Sequence, residues 1–551
     1  MKSTMQDAPL SVSRLLDHAA RVHPDAEVVT ATPDGARRRT FAEVAERAGC
    51  LAGALRACGV DGDQRVATFM WNNTEHLEVY LAAPSMGAVL HTLNIRLFPD
   101  QVTYVANHAE DKVVVVDASL LAPFAKLLPT FETVTHVLVA GPEAADADLS
   151  VLEATGRTIL RYEDALAEAE PVTDWPQIVE TDAAAMCYTS GTTGNPKGVV
   201  YSHRSMYLHS MAVAMGDAMG LTPYDRILPI VPMFHANAWG LPYAAIMVGA
   251  SLVMPDRWLQ PEPLTRLIAA EKVTISGAVP TIWNDILTYA DANPADLSSI
   301  RLVPCGGSAV PLALQQALAQ RHGVVIRQAW GMTETSPVAT CAMPPVGVDP
   351  DSEEGWRYRA SQGRPLAGVT ARIVGDSGEE LPRDGVTVGE VEVRGPWVTG
   401  RYYKDDDDAE SQGKFRDGWL RTGDVGTLDR QGFITLTDRA KDVIKSGGEW
   451  ISSVDLENHL MSHPDVLEAA VVAIPDEKWD ERPLATVVLR EGASADLDAL
   501  RAHLATKFAK WQLPDAWAFI EAVPRTSVGK FDKKVIRKEF ADGALDVKRL
   551  G

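Results

Sequence analysis

The stretch YTSGTTGNPKG, residues 188–198, follows an apolar segment and combines three glycines with several hydroxyl side chains and one lysine. Glycines let the backbone turn with its N–H groups pointing inward, and hydroxyl groups add donors, so such a loop can wrap a polyphosphate. Lys197 supplies positive charge for the same anion. The stretch is not a Walker A loop, because Pro196 precedes the lysine and Gly198 follows it where Ser or Thr is required. It therefore predicts a phosphate-binding loop of another kind.

Around this loop, apolar β-branched runs alternate with helix-period stretches through the first two-thirds of the chain. Such alternation predicts parallel sheets covered by helices. From about Thr370 short strands and Gly-rich turns predict a small β-rich subdomain, and beyond Asp438 the pattern becomes α+β. The predicted fold is therefore α/β, with a large N-terminal domain (residues 1–437) that includes the β-rich subdomain, and a small mobile α+β C-terminal domain (residues 438–551).

Individual elements are predicted from the same patterns. The predicted helices are Pro263–Ala270, Leu312–Arg321 and Leu497–Ala509. The predicted strands are Val113–Val116, Val137–Val139, Ile227–Val231, Ser251–Val253, Leu302–Pro304, Ala371–Val374, Val388–Arg394, Phe433–Thr437, Val466–Ile474, Ala485–Leu489 and Trp517–Ala522.

The composition limits the classes of molecule that the protein is expected to bind. The 551 residues include 52 Lys and Arg against 74 Asp and Glu, which gives a formal net charge of −22. Apolar residues make up 46% and charged residues 23%, which argues against a largely disordered chain. The acidic balance predicts no nucleic-acid partner and no binding to an anionic membrane surface. It still allows an anionic small-molecule substrate, because a few cations and N–H groups can hold phosphate locally.

Cysteine usage and the absence of targeting signals predict a cytoplasmic protein. The five cysteines show no CxxC spacing, which argues against a disulfide framework or a Cys-rich zinc site. The N-terminus has no apolar core of signal-peptide length. The uncharged stretch 227–254 contains three prolines, so it predicts a buried strand-turn-helix passage and no integral membrane segment. The charge run Lys404 with Asp405–Asp408 predicts a solvated loop.

Further motifs follow the glycine-rich loop in order. They are WGMTE (330–334), GWLRTGD (418–424), DRAKD with SGGE (438–442 and 446–449) and PRTSVGK (524–530). In type and order, the five resemble the motifs of the adenylate-forming superfamily, which includes acyl-CoA synthetases, firefly luciferase and the adenylation domains of peptide synthetases. The resemblance covers essentially the whole chain, and it implies ATP, Mg²⁺ and coenzyme A as the cofactor and co-substrates.

The resemblance assigns roles around the nucleotide. Glu334, a hard oxygen ligand, would hold Mg²⁺, with Thr189 as a second metal ligand. Trp330 would offer its flat face to adenine where the family usually has Tyr, and Asp424 would accept both ribose hydroxyls with Arg439 reaching the same sugar. The other ATP contacts expected are Ser190, Gly191, Thr192, Thr193, Gly194, Lys197, Gly307, Ser308, Gly331, Met332, Thr333, Lys445 and Trp450.

By the same resemblance, Lys530 reaches the carboxylate and the α-phosphate during adenylation, where a mobile point charge suits developing negative charge. Lys197, Glu334 and Thr189 complete the expected catalytic set. Two steps are needed because a carboxylate is a poor electrophile, whereas AMP is a good leaving group for a thiol. The protein then contributes positioning and charge stabilisation rather than a covalent nucleophile.

The two reactions need two arrangements around one adenylate. The motif places the hinge at Asp438 and Lys441, with Lys441 as the pivot, since a few residues can absorb a domain rotation. After rotation Lys530 would leave the site. Ser446, Gly447 and Gly448 would then line the tunnel for the pantetheine arm of coenzyme A, because glycines allow close approach.

The acyl pocket should involve the segments 232–239 and 305–308, with His235, Trp239 and Gly306 at the acyl and coenzyme A tunnel. His235 lies where amino-acid-activating relatives often have Asp, which argues against an amino acid substrate. The strings FHANAW (234–239), WGMTE (330–334) and GEWIS (448–452) together look most like bacterial medium- and long-chain fatty acyl-CoA synthetases, in which a Trp at the position of Trp239 gates the tunnel. This predicts conversion of a fatty acid to acyl-AMP and then acyl-CoA, with release of pyrophosphate and AMP.

Several alternatives share these motifs. An aryl-acid or short-chain acid–CoA ligase would differ only in pocket volume, and an acyl-AMP ligase serving a separate carrier protein would use the same first step. A nucleotide-binding sensor would be expected to have lost Lys530, Glu334 or the hinge motif, all of which are present. The fatty-acid relatives include swapped homodimers, so a homodimer is compatible with the resemblance.

Overall fold

The computed structural model describes residues 1, 3–189, 195–375, 377–405, 409–439, 442, 444–446, 449–476, 478–493, 495–526 and 531–549. In these residues no helix has both the length and the apolar character needed to cross a membrane. The helices are α1 (Val12–Val22), α2 (Phe41–Ala57), α3 (Thr74–Ser85), α4 (Pro99–Ala109), α5 (Leu121–Leu127), α6 (Ser150–Glu153), α7 (Tyr162–Glu168), α8 (His203–Ala214), α9 (Leu241–Val248), α10 (Pro261–Glu271), α11 (Pro280–Ala292), α12 (Leu312–His322), α13 (Glu353–Ala360), α14 (Ala409–Gly413), α15 (Ser453–Met461), α16 (Leu497–Ala505) and α17 (Lys533–Ala541).

The strands of the described chain belong to five sheets. They are β1 (Glu27–Thr32), β2 (Gly35–Thr40), β3 (Arg65–Phe69), β4 (Val89–Thr92), β5 (Asp111–Asp117), β6 (His136–Ala140), β7 (Thr158–Arg161), β8 (Ala183–Tyr188), β9 (Gly198–Ser202), β10 (Arg226–Pro229), β11 (Ser251–Met254), β12 (Ile275–Gly277), β13 (Val303–Cys305), β14 (Ile326–Gly331), β15 (Val338–Cys341), β16 (Arg364–Pro365), β17 (Thr370–Val374), β18 (Val388–Arg394), β19 (Phe415–Arg416), β20 (Trp419–Leu428), β21 (Ile434–Arg439), β22 (Ile444–Ser446), β23 (Glu449–Ile451), β24 (Val466–Asp476), β25 (Asp480–Leu489), β26 (Ala516–Phe519) and β27 (Lys548–Arg549).

The largest sheet has seven strands in the order β7-β6-β5-β3-β4-β8-β9. All its pairings are parallel except β8 with β9, which form an antiparallel hairpin. The four valines of β5, residues 113–116, are fully buried, as expected for a parallel strand covered on both faces. The parallel sheet predicted from strand and helix alternation is therefore confirmed.

A second sheet, β12-β10-β11-β1-β2, is parallel apart from the β1–β2 pair. Bridges between Ile275 and Leu302 and between Ala278 and Cys305 join it to the four-stranded sheet β13-β14-β15-β16. Because β10, β13 and β14 run parallel, the segments that follow them leave from the same edge of this surface. Those segments contain the predicted acyl-pocket string, the Gly306–Ser308 turn and the WGMTE motif.

The predicted β-rich subdomain is an antiparallel sheet in the order β17-β18-β20-β19, with β21 on β20. The boundary predicted between residues 437 and 438 falls within β21. From β22 onward the strands pair with one another in a six-stranded sheet packed against α15, α16 and α17, which is an α+β arrangement. The fold class is therefore confirmed, whereas the exact domain division stays a prediction.

Three predicted elements end earlier in the structure. The strand predicted to reach Val231 ends at Pro229. The helix predicted to reach Ala509 ends at Ala505, where the hydroxyl of Thr506 donates to the carbonyl oxygen of His503 at 2.7 Å. A side-chain hydroxyl that donates to a helix carbonyl oxygen competes with the backbone hydrogen bonds that would continue the helix. The strand predicted to reach Ala522 ends at Phe519, ahead of a bend that leads to Pro524.

Candidate functional site

A cavity of about 440 Å³ brings the predicted motifs together. Its walls come from the end of β8, the segments after β10, β13 and β14, the strand β20, and the helices α15 and α17. The sequence-predicted residues that line it are Thr189, Lys197, His235, Trp239, Gly306, Gly307, Ser308, Trp330, Gly331, Met332, Thr333, Glu334 and Asp424. Motifs more than 200 residues apart in sequence therefore share one site.

The predicted phosphate loop begins and ends at a hydrogen-bonded pair. The N–H of Thr189 donates to the carbonyl oxygen of Lys197 at 2.9 Å, and the N–H of Lys197 donates to the hydroxyl oxygen of Thr189 at 3.1 Å. This pair continues the β8–β9 hairpin by one step beyond Tyr188 and Gly198. Five of the predicted phosphate contacts lie outside the described residues: Ser190, Gly191, Thr192, Thr193 and Gly194.

The side chain of Lys197 meets an acidic partner at the cavity. Its Nζ lies 2.9 Å from Oδ2 and 3.1 Å from Oδ1 of Asp405. The prediction that the charge run forms a solvated loop is wrong for Asp405, whose side chain is 15% exposed. The reason is a tertiary contact, in which the negative charge of Asp405 compensates the positive charge of Lys197 in the predicted phosphate loop.

Glu334, the predicted magnesium ligand, is a buried carboxylate at the cavity wall. The hydroxyl of Tyr402 donates to its Oε1 at 2.5 Å, and its carbonyl oxygen accepts from the N–H of Thr399 at 2.8 Å. Gly331, just before it, lies so close to Pro337 that an added Cβ would be 1.7 Å from the Pro337 carbonyl oxygen. The WGMTE turn is thus fixed by a close backbone approach that only glycine permits.

These residues fit a magnesium ion only if the nucleotide helps to bind it. Among the described residues, no group of three or more His, Cys, Asp or Glu side chains could hold a metal. Mg²⁺ is commonly bound by one or two carboxylates together with substrate phosphates and waters. Glu334, oriented by Tyr402 and facing the cavity, suits that mode.

Trp330 and Asp424 are joined directly. The indole Nε1–H donates to Oδ2 of Asp424 at 2.8 Å, and both side chains are buried. The backbone of Arg439 pairs with that of Asp424 across β20 and β21. The side chains of Arg439, Lys445 and Trp450, which were predicted to reach the nucleotide, lie outside the described part of the structure.

The predicted acyl side of the cavity is built on a left-handed turn. Residues 236–239 (AlaAsnAlaTrp) all have φ between 43° and 58°, and Gly240 continues the turn with φ 74°. Left-handed helix costs roughly 1 kcal/mol or more for each residue with a Cβ atom, so tertiary contacts must hold this turn in place. One such contact is that Asn237 Oδ1 accepts from the thiol of Cys187 at 3.1 Å. The turn brings Trp239 to the cavity wall.

His209 on α8 contacts Val338 and Gly240 at the predicted acyl side of the cavity, and no sequence signal pointed to it. Its Nε2 accepts from the N–H of Val338 at 3.0 Å, and its ring packs under Gly240, where an added Cβ would be 2.6 Å from Nδ1. Burial lowers the pKa of His209 to about 3, so the ring is neutral at physiological pH. Val338 and Trp239 both line the cavity.

The cysteines next to the cavity are not candidate nucleophiles. Burial raises the pKa of Cys187 to about 11 and raises the pKa of Cys305 further, so both are neutral thiols. This agrees with an expected chemistry in which the protein positions reactants and contributes charge.

The C-terminal part contributes the opposite wall. Thr526 and Phe531, on either side of residues 527–530, both line the cavity, while Lys530 itself lies outside the described residues. Lys533 on α17 is paired with Glu457 of α15 at 2.7 Å, and both also line the cavity. The catalytic role of Lys530 remains a prediction, but the chain that carries it reaches the site.

Other predicted residues lie elsewhere or outside the description. Ser446 does not line the cavity; its hydroxyl accepts from Arg482 at 3.0 Å within the C-terminal sheet. Asp438 lies in β21, and its side chain is outside the description, as are Lys441, Gly447 and Gly448. The assignment of Ser446 to a coenzyme A tunnel therefore depends on a different arrangement of the C-terminal part.

Comparison with known proteins identifies the family. Residues 16–403 match the family described as AMP-binding enzyme, and residues 455–530 match the AMP-binding enzyme C-terminal domain. The chain belongs to the AMP-binding enzyme family. The resemblance to adenylate-forming enzymes inferred from the five motifs is thereby confirmed.

Two curated relatives of this AMP-binding enzyme have different acids in their names. A 3-methylmercaptopropionyl-CoA ligase of Ruegeria pomeroyi is 44% identical, covering 98% of this chain and 99% of its own. A long-chain-fatty-acid–CoA ligase of Thermus thermophilus is 46% identical, covering 98% and 97%. The crystal structure of the anthranilate CoA ligase AuaEII with anthranoyl-AMP matches with a TM-score of 0.86 at 26% identity, covering 98% of this chain and all of that one. The comparisons thus support acyl-CoA ligase activity and leave the acid open.

Proposed function

We propose that this AMP-binding enzyme is an ATP-dependent, AMP-forming acid–CoA ligase that activates an aliphatic monocarboxylic acid. The observation that supports this proposal most directly is that Lys197, Glu334 and Asp424 line the same cavity as the apolar side chain of Trp239. A cation, a carboxylate and a ribose acceptor beside an acyl pocket match the needs of adenylate formation. Mg²⁺, when bound with ATP, would shield the phosphate charge from an attacking carboxylate.

In this proposal each residue holds or orients a reactant. Lys197 binds phosphate oxygens, and Asp424 accepts from the ribose. Glu334 would bind the metal through its carboxylate, which is oriented by the hydrogen bond from Tyr402. Lys530 approaches the carboxylate and the α-phosphate from the C-terminal domain, residues 438–551, and the bond formed is between the carboxylate oxygen and the α-phosphorus as pyrophosphate departs. The thiol of coenzyme A then attacks the acyl carbon and AMP leaves.

For the acid, a medium- or long-chain fatty acid is the first candidate. It is supported by the Thermus thermophilus relative and by the apolar wall of Trp239, Ala236 and Val338. These three side chains carry no charge that would suit a second carboxylate or an amine. A short thioether acid is the second candidate, favoured by the Ruegeria pomeroyi relative; the bulky indole of Trp239 at the cavity wall would suit a short acid.

The test is mass spectrometry of products formed from ATP, Mg²⁺, coenzyme A and a panel of acids. The panel holds linear acids from acetate to oleate, 3-methylmercaptopropionate and several aryl acids. We expect acyl-CoA of one chain-length band together with AMP. Aryl-CoA as the dominant product would contradict the aliphatic assignment, and acyl-AMP without thioester would contradict coenzyme A as acceptor. The Glu334→Gln protein, which keeps the hydrogen bond from Tyr402, serves as the matched inactive control.

A further inference from the structure

Four successive residues, Tyr402–Asp405, contact Glu334, Gly198 and Lys197, and we call this segment the strap. Tyr402 donates to Glu334, and the N–H of Tyr403 donates to the carbonyl oxygen of Gly198 at 2.8 Å. Asp405 pairs with Lys197. The strap therefore contacts both predicted phosphate-site charges, one at each of its ends.

The strap is held firmly between these ends. The ring of Tyr403 lies edge-to-face on His108, with centroids 5.6 Å apart, and the ammonium of Lys404 pairs with Glu110 and with the carbonyl oxygen of His108. These contacts fasten the strap to the end of α4. The position of Asp405 opposite Lys197 is thus imposed by its neighbours.

The Lys197–Asp405 pair is arranged like a lysine with a bound anion. Both carboxylate oxygens lie within 3.1 Å of Nζ, and the two side chains are only 30% and 15% exposed. The hydroxyl of Ser411, itself at the cavity wall, donates to Oδ2 of Asp405. A carboxylate with two oxygens on an ammonium occupies the donors that phosphate oxygens would otherwise use.

We propose that Asp405 is an internal competitor of phosphate for Lys197, so that it weakens pyrophosphate binding and favours pyrophosphate release. This inference rests on the proposed function, in which Lys197 binds phosphate oxygens of ATP. When ATP binds, its phosphates take the place of the Asp405 carboxylate on Lys197. When pyrophosphate leaves, Asp405 pairs with Lys197 again, which opposes rebinding and reversal of adenylation.

The proposal is tested by isothermal titration calorimetry. Inorganic pyrophosphate is titrated in EDTA and again with Mg²⁺, and ATP is titrated in a separate experiment. In EDTA, Asp405→Asn should bind pyrophosphate about 5- to 10-fold more tightly than the unaltered protein, a modest gain because the pair is partly exposed. Glu110→Gln is the matched control: it removes one negative charge at the end of α4, next to the strap, where the side chain pairs with Lys404 instead of Lys197 and where glutamine can still accept from Lys404. It should stay within about 2-fold. Adding Lys197→Met to Asp405→Asn should abolish the gain.

Other outcomes would overturn the inference. Weaker pyrophosphate binding by Asp405→Asn in EDTA would make Asp405 a positioning residue for Lys197, and weakening only with Mg²⁺ would make it a metal ligand. Unchanged binding would show that the pair does not compete. If the unaltered protein bound neither pyrophosphate nor ATP, the proposed function itself would fail. Asp405→Ser provides a second variant should the asparagine protein not fold.

Discussion

The indole nitrogen of Trp330 donates to Oδ2 of Asp424 at 2.8 Å, which joins the predicted adenine platform to the predicted ribose acceptor. A tyrosine ring, which the resemblance leads us to expect at this position, has no indole donor to make the same bond. In this chain the two halves of the nucleoside site are therefore coupled. Changes to either residue should affect both adenine and ribose recognition.

Trp330→Phe keeps an aromatic face and removes the donor. We expect the free energy of unfolding to fall by about 1–3 kcal/mol, because the buried Asp424 carboxylate loses a hydrogen bond, and we expect AMP to bind about 10-fold more weakly. Chemical denaturation and calorimetry with AMP measure the two effects. Trp517→Phe is the control, since it removes an indole donor to Pro514 in the C-terminal core and should leave AMP binding unchanged.

Tyr402→Phe removes the donor to Glu334 and leaves its charge. We expect acyl-AMP formation, measured as the rate of pyrophosphate release, to slow about 10-fold. This factor corresponds to the loss of one hydrogen bond to a charged group. The concentration of Mg²⁺ that gives half-maximal rate should rise. Glu334→Gln should slow the same step by about 100-fold or more. Equal rates for Tyr402→Phe and the unaltered enzyme across a Mg²⁺ titration would contradict the role given to Tyr402.

Lys530→Ala should separate the two half-reactions. We expect adenylation to fall by about 100-fold or more, because the charge that meets the reacting oxygens is removed. Thioester formation from synthetic acyl-AMP and coenzyme A should stay within about 3-fold, since Lys530 is expected to be away from the site in that step. Rapid-quench assays of each half-reaction check this, and an equal loss in both would argue against a domain rotation.

His209 makes stability depend on pH. Its folded pKa of about 3 lies below the value of 6.5 for an exposed histidine, so below pH 6.5 the unfolded state binds a proton that the folded state does not. Stability from this group is complete above pH 6.5 and decreases as the pH falls towards 3. In His209→Gln, whose amide oxygen can still accept from Val338, denaturation between pH 6 and 4 should show a slope smaller by up to about 1.4 kcal/mol per pH unit.

The buried His76 and His203, whose pKa values are also lowered, to about 4, are present in both proteins, so the comparison isolates His209. Glu78 and Asp256, whose pKa values are raised to about 7 by burial, act in the opposite direction and are likewise unchanged. Identical slopes for the two proteins would mean that the His209 ring is protonated in the folded state.

Trp239→Ala tests what limits the acid. Removing the indole from the cavity wall should raise kcat/KM for dodecanoate relative to butanoate by about 10-fold, because each accommodated methylene contributes about 1–3 kcal/mol and only part of the new volume is usable. Competition assays with paired acids measure the ratio. Trp479→Ala, at an exposed tryptophan in the turn between β24 and β25, is the control. An unchanged ratio would place the limit deeper in the pocket.

The parts of the site that could be predicted from sequence are those that carry a local pattern. The loop ending at Lys197, the WGMTE turn with Glu334 and the strand with Asp424 each have characteristic residues at fixed spacing, and the structure brings them together. The parallel sheets followed from apolar β-branched runs, because a strand covered on both faces has few alternatives to such a composition.

The unpredicted parts depend on partners far away in the chain. The run of like charges predicts a solvated position for Asp405, because such runs are usually solvated, and its partner Lys197 lies 208 residues earlier. Tyr402 and His209 are single residues whose importance comes from Glu334 and Val338, and no periodic pattern marks either of them. Local pattern identifies groups that bind a substrate, whereas the groups that orient them emerge only from tertiary packing.

The turn formed by residues 236–240 has the handedness of a helix built from D-amino acids. In a chain assembled by semisynthesis, a D-alanine at position 238 would place its Cβ without the crowding that the natural L-residue accepts. We expect such a mirror-image substitution to relieve the backbone strain of the left-handed conformation at residue 238. At this position the choice of a D- or an L-residue offers a way to make the backbone of the turn more rigid.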